Sequence, residues 1–233
     1  MLQHYILQRH QQIIENKMDF YTPTGIHVYF KDPIENKEVD LQKVVAKVEG
    51  MLPEHLMGEV EMIIVGHFEE FEERSINAFY DAGTLYLSPI QDDDADLFDD
   101  IVHEIAHSNE QPYGSFLYHD GKLEKEFLNK RLNLHKILWH MGYKLPEKAF
   151  LNTEYDKELD EFLYKTIGYD KLAVIVQGLF ITPYAATSLR EYFATAFTDY
   201  YVQTDHTFLK QVSPQLYKKL LSLNDPERLD NIQ

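Results

Sequence analysis

Residues 84–109 read TLYLSPIQDDDADLFDDIVHEIAHSN, and the chain changes character inside this stretch. Thr84 to Ser88 alternates apolar and polar residues, the period of a half-buried strand. From Asp94 the period lengthens. Leu97, Ile101 and Ile105 recur at helical spacing, with Phe98 and Val102 on the face they share, which predicts a helix over residues 94–109. The run Gln91-Asp92-Asp93-Asp94 sits where that helix begins. Acidic residues there complement the helix dipole and cap free N–H groups, and the run lacks the loop glycine and closing glutamate of a calcium-binding EF-hand.

Upstream of the switch the chain mixes strands and helices; downstream it is helical. Leu2 to Lys17 reads as a helix, Ile26 to Phe30 as a strand, and Leu41, Val44, Val45, Val48 and Leu52 as a helical stripe stopped by Pro53. Val60 to Val65 is a largely buried strand. Asn77 to Tyr80 and the TLYLS strand flank Asp81-Ala82-Gly83, a hairpin turn, and either of the two strands could form the sheet edge. Phe68 to Arg74 reads as a solvated loop or short helix. Helices are expected over 122–141, closed by Gly142, over 156–166, 170–177 and 189–202, and from Ser213-Pro214 onward. The fold class is therefore α+β: a small mixed sheet in the N-terminal part with one prominent helix, then a mainly helical C-terminal part. No repeat or low-complexity linker divides the 233 residues, so one domain is expected over 1–233.

Composition narrows the function. Lys+Arg number 22 against 39 Asp+Glu, a net charge of −17, and no cluster of basic residues is present. That disfavours nucleic acid and anionic membranes as partners and favours neutral or basic ones. Hydrophobic residues at 44% and aromatics at 13% are enough for a folded core. The chain has no cysteine, so a transition metal would have to sit on His, Asp and Glu. No signal-peptide pattern opens the sequence and no run of about 18 apolar residues occurs. Cytoplasmic residence is the expectation, with release by a route needing no cleaved signal peptide left open.

The chemistry lies in His103-Glu104-Ile105-Ala106-His107. Two histidines four apart on a helix project from one face and can grip one zinc ion. Glu104 is turned by about 100° from His103, close to such an ion without having to ligate it, where a general base would act. A catalytic zinc usually takes a third protein ligand. The positions that would continue a metzincin motif hold Glu110 and Tyr113, which excludes that class. Glu191 is the best third ligand: it lies beside the apolar stripe Leu189, Phe193, Ala196, Phe197 and Tyr200, and a carboxylate carried to a helix seam needs a partner. Glu110, Glu124 and Glu126 also follow the motif, but Glu110 is too close on the same helix and the other two start a helix whose charged face looks solvated. His119 belongs to turn chemistry beside Asp120-Gly121. His135 and His140 are five apart and do not share a helix face.

HEIAH followed by the Glu191-Tyr192-Phe193-Ala194-Thr195-Ala196-Phe197 helix resembles the gluzincin type of zincin metallopeptidase, in particular the anthrax lethal factor and Pro-Pro endopeptidase group. In that group a tyrosine precedes the glutamate ligand by seven residues, and here that position is Tyr184. The resemblance covers residues 77–201 and implies a zincin-like fold with one Zn2+ on His103, His107 and Glu191. It implies Glu104 as catalytic base and Tyr184 as oxyanion stabiliser or proton donor. The activity implied is zinc-dependent endopeptidase cleavage through a zinc-bound water, on a protein or peptide substrate. Residues 1–60 match nothing in the group, the span 111–165 is longer than the group leads one to expect and reads as an insertion, and Thr195 stands where related enzymes often carry an acidic residue. The competing expectation is a zincin fold that no longer cleaves and serves as a binding or structural module.

Overall fold

The computed structural model describes residues 19–74 and 76–225, together with 227 and 229. The helix expected over Leu2 to Lys17 lies outside the described residues. The chain divides into two compact units, one up to Ser108 and one from Asn109 onward. No helix among the described residues is long and apolar enough to cross a membrane.

In the first unit, strands β1 (Phe20–Tyr21), β2 (His27–Phe30), β3 (Met62–Val65), β4 (Ala78–Asp81) and β5 (Thr84–Leu87) form one sheet in the order β1-β2-β3-β5-β4. β2, β3 and β5 are parallel, with Val28 opposite Ile63 and Ile63 opposite Leu85. β1 and β4 add antiparallel edges. Val28, Ile63, Val65, Leu85 and Leu87 are buried, so the interior strands carry the apolar positions that the alternation predicts.

Helix α1 (Leu41–Met51) lies in the connection between β2 and β3. It is capped by Asp40, whose carboxylate accepts from Lys43 N, and buries the stripe Leu41, Val44, Val45 and Val48. Leu52 is extended, as the residue before a proline must be. The β4–β5 turn places Ala82 (φ 44°) and Gly83 (φ 89°) in the left-handed region, the signature of a tight primed hairpin turn. That hairpin puts β4 on the outside, so the TLYLS strand is interior and Ala78–Asp81 is the edge. Helix α2 (Glu69–Arg74) follows Phe68, whose ring meets Tyr86 at 5.0 Å, and Phe79 stacks on Tyr86 at 4.5 Å.

Helix α3 (Asp94–Tyr118) is longer than the sequence predicts and contains Pro112. A proline inside a helix removes one hydrogen bond and costs about 3 kcal/mol. Beyond it, Leu117 is fully buried and Tyr118 donates to Glu110 at 2.6 Å, and these contacts carry the helix on. At its start, Asp93 accepts from the N–H groups of Ala95 and Asp96, and Asp94 pairs with Lys43, which is the capping role read from the acidic run.

The second unit is built around α4 (Lys122–His140), α5 (Lys157–Glu161, running on as a π-turn over Phe162–Ile167), α6 (Tyr169–Ile175), α7 (Leu189–Val202), α8 (Thr207–Val212) and α9 (Pro214–Leu223). The α8 segment carries no apolar period strong enough to be read from sequence. α4 packs on α7, on α9 and on the 3-10 turn Glu147–Leu151. Within residues 111–165, α4 is thus the element that packs on α7.

Candidate metal centre

His103 and His107 lie one turn apart on α3, half-buried, with ring centroids 5.0 Å apart. Ile101, Val102, Ile105 and Ala106 are buried around them, so the amphipathic pattern that forms the helix also fixes the direction of both imidazoles. Glu191 is the third residue of α7. Ser188 caps that helix, its hydroxyl accepting from Glu191 N at 3.1 Å. Ser188-x-x-Glu191 has the form of a capping box, an ordinary structural use for a glutamate at this position. The geometry offers a further one: His103, His107 and Glu191 each present a ligand atom, and all three atoms lie within 4.8 Å of one another. Among the described residues this is the one group of three His, Asp or Glu side chains placed to share an ion. Two imidazoles and a carboxylate form a donor set that suits zinc. Tetrahedral bonds of about 2.0–2.1 Å would hold such ligand atoms about 3.4 Å apart.

Glu104 points to the sheet edge. Its carboxylate accepts from Tyr80 N, on β4, at 2.9 Å, which fixes one oxygen against the outermost strand. Tyr80 is itself held, its hydroxyl donating to Glu59 O at 3.1 Å and accepting from Gly83 N at 3.0 Å. Tyr184 opens the 3-10 turn Tyr184–Ala186 and is half-buried; its carbonyl accepts from the backbone and hydroxyl of Thr187. Ala185 and Ala186 are buried, and the turn packs directly on α7. At the Asn77 end of β4 a cavity of about 340 Å³ is lined by Phe68, Phe71, Ile76 and Ile90.

The other candidate ligands are used elsewhere. Glu110 accepts from Tyr118 and Arg190. Glu126 accepts from Tyr192 Oη and from the N–H groups of Gln215 and Leu216, capping α9. Glu124 is exposed. The reading of the α4 start as a solvated charged face therefore needs correction at Glu126. The same helix buries two cations. Lys130 Nζ donates to Leu179 O and, through a short contact, to Val212 O, and burial pushes its pKa down to about 8. Arg131 is fully buried and donates to Ala149 O at 2.7 Å and Asn152 O at 2.8 Å. Its third acceptor is Thr187 O, at 3.4 Å, directly before the cap of α7. No sequence pattern marks these cations, because Lys and Arg at a helix surface are usually solvated. His135 Nε2 donates to Leu145 O at 3.0 Å and His140 Nδ1 to Lys136 O at 2.6 Å, each in a separate local role.

No sequence pattern marks Asp100 either. It lies one turn before Glu104, with Oδ2 buried and unpartnered. Burial, and then the Glu104 charge, raise its carboxyl to about 7, while His103 acts the other way. A folded-state value above the unfolded one near 3.8 means that the folded chain binds this proton more tightly. Stability from this group is present below about pH 4 and is lost as pH rises toward 7. Asp100→Asn is therefore expected to raise the stability of the metal-free chain at pH 8 by about 1–3 kcal/mol and to change it little at pH 4. Thermal melts at the two pH values check this; an equal effect at both would place the carboxyl in a solvated setting.

No family model, no curated protein and no solved structure matches the chain.

Proposed function

We propose that this chain is a zinc-dependent endopeptidase with a zincin-like catalytic fold of the gluzincin type. The observation that carries the reading is the convergence of His103, His107 and Glu191, with ligand atoms within 4.8 Å, one residue away from a glutamate anchored on the edge strand. A zinc ion bound there supplies Lewis-acid polarisation of a carbonyl and makes water more acidic.

The remaining chemistry belongs to this chain's side chains. Glu104, with one oxygen held by Tyr80 N, offers its carboxylate to take the proton of the attacking water and to hand it to the departing amine. Tyr184, on a turn packed against α7, offers its phenol as a hydrogen-bond donor to the oxyanion that develops on the scissile carbonyl. β4 is an edge strand and, apart from Tyr80 N, which Glu104 holds, offers main-chain pairing to an extended peptide. The net charge of −17 supports neutral or basic peptides as substrates.

The test is the zinc content of the purified chain by elemental mass spectrometry, followed by a peptide-library digest. One zinc per chain and cleavage that a chelator abolishes are expected. A chain that takes up no zinc on addition overturns the reading. One that binds zinc and cleaves no peptide is instead the binding module.

A further inference from the structure

His103, His107 and Glu110 stand at i, i+4 and i+7 of α3, on one face of the helix. Arg190 and Glu191 are neighbours in the first turn of α7. Arg190 Nε donates to Glu110 Oε2 at 2.7 Å, and Tyr118 Oη donates to Glu110 Oε1 at 2.6 Å. The Glu110 side chain is only 11% exposed, against 59% for Arg190. Each carboxylate oxygen thus takes its own charge-assisted bond, and both oxygens are oriented. Exposed ion pairs contribute little, but a carboxylate withdrawn from solvent between two donors holds its partners in one geometry.

We infer that Tyr118, Glu110 and Arg190 form a latch that sets the metal triad in place before an ion arrives. The bond to Glu110 ties Arg190, the residue beside Glu191, to the helical turn that follows His107. The start of α7 is therefore fixed against α3 by contacts that do not involve the triad itself. A preformed set of ligands binds an ion without first paying to order its own side chains, so the latch raises affinity for the metal. The three are positioning residues: the ligand atoms belong to His103, His107 and Glu191. The inference rests on the metal site of the proposed function and not on peptide cleavage.

The test measures zinc affinity of the full chain with a competing chelator for Glu110→Gln, Arg190→Met and the double variant, beside the melting temperature of each metal-free protein. Each single substitution is expected to weaken zinc binding by about 10–100-fold, the range found when groups that orient metal ligands are removed. The double variant is expected to lose no more than the weaker-binding single one, because the two changes break one interaction. The reversed pair, Glu110→Arg with Arg190→Glu, is expected to recover part of the loss. Tyr118→Phe removes a single hydroxyl and is expected to weaken binding several-fold; it carries the test where Arg190→Met fails to fold.

Single variants that bind zinc within twofold of the unaltered chain overturn the latch and leave the peptidase reading standing. So does a double variant whose loss is the product of the two single losses. Zinc binding that depends on the latch in a chain that cleaves no peptide upholds the latch and removes the peptidase reading. An unaltered chain that binds no zinc removes both.

Discussion

Glu104→Gln is expected to keep its zinc and to lose peptide cleavage by about 10²–10⁴-fold, the contribution typical of a positioned general base. At 1.36 kcal/mol for each tenfold step, that is about 3–5 kcal/mol of lost transition-state stabilisation. The two halves of this expectation have separate physical grounds. Zinc is kept because the three atoms that converge belong to His103, His107 and Glu191, while one Glu104 oxygen is held by Tyr80 N of β4. Cleavage is lost because an amide has the shape of the carboxylate and can still accept from Tyr80 N, yet cannot take a proton from water. Zinc content and turnover of a cleaved library peptide, measured on the same preparation, check both halves. Turnover within tenfold of the unaltered chain would assign the proton to another group, and zinc loss would make Glu104 a ligand.

The second large effect is expected at a residue outside the metal triad. Arg131→Met is expected to destabilise the chain by about 3–5 kcal/mol, the cost typical of removing one member of a buried, charge-assisted network. The guanidinium is fully buried between the rings of Phe127 and Phe150, at 5.2 and 5.8 Å, and burial pushes its pKa down to about 10, so it stays charged at neutral pH. Its stabilisation comes from the carbonyls of Ala149, Asn152 and Thr187. Methionine fills much of the volume but leaves these acceptors unpaired, at about 1–3 kcal/mol each. The relief from not burying a charge offsets part of that sum. Arg131→Lys is expected to lose nearly as much, since one ammonium cannot reach acceptors arranged for a planar fork. Urea unfolding with an unchanged slope checks the prediction. A loss below about 1 kcal/mol would mean that desolvation of the guanidinium cancels its hydrogen bonds. Because Thr187 precedes the cap of α7, zinc affinity is expected to fall with stability.

How far the fold can be read from sequence differs between the two units for one reason. In the first, the signal is local: Ile63, Val65, Leu85 and Leu87 alternate, Ala82-Gly83 turns the hairpin, and Asp93 caps α3. Each of these is a short-range pattern tied to a backbone period or a turn, and each is recovered within a residue or two of its expected bounds. In the second unit, α3 runs on past Pro112, where Leu117 is fully buried and Tyr118 bonds back to Glu110, and α8 forms without a clear period of its own. Lys130, Arg131 and Glu126 look like surface charges on α4 and are in fact polar anchors, because their partners are backbone groups tens of residues away.

The candidate centre divides along the same line. His103, Glu104 and His107 are bound to one another by helix geometry, so four-residue spacing alone puts the two imidazoles on one face and the carboxylate beside it. That much the sequence determines, along with the α+β class, the absence of thiolate ligands and the acidic surface. The distance from His107 to Glu191 is 84 positions along the chain, and no local rule spans it. Glu110, Glu124, Glu126 and Glu191 all follow the motif, with Glu191 favoured by its apolar stripe, and a Ser188-x-x-Glu191 pattern is equally at home as a simple cap. Only the tertiary structure sets one carboxylate, and not the others, within 4.8 Å of the ligand atoms of the two histidines. The edge strand was settled in the same way, by the order of strands across the sheet, since hydrogen-bond partners in a sheet are fixed by tertiary pairing while the alternation along each strand is not.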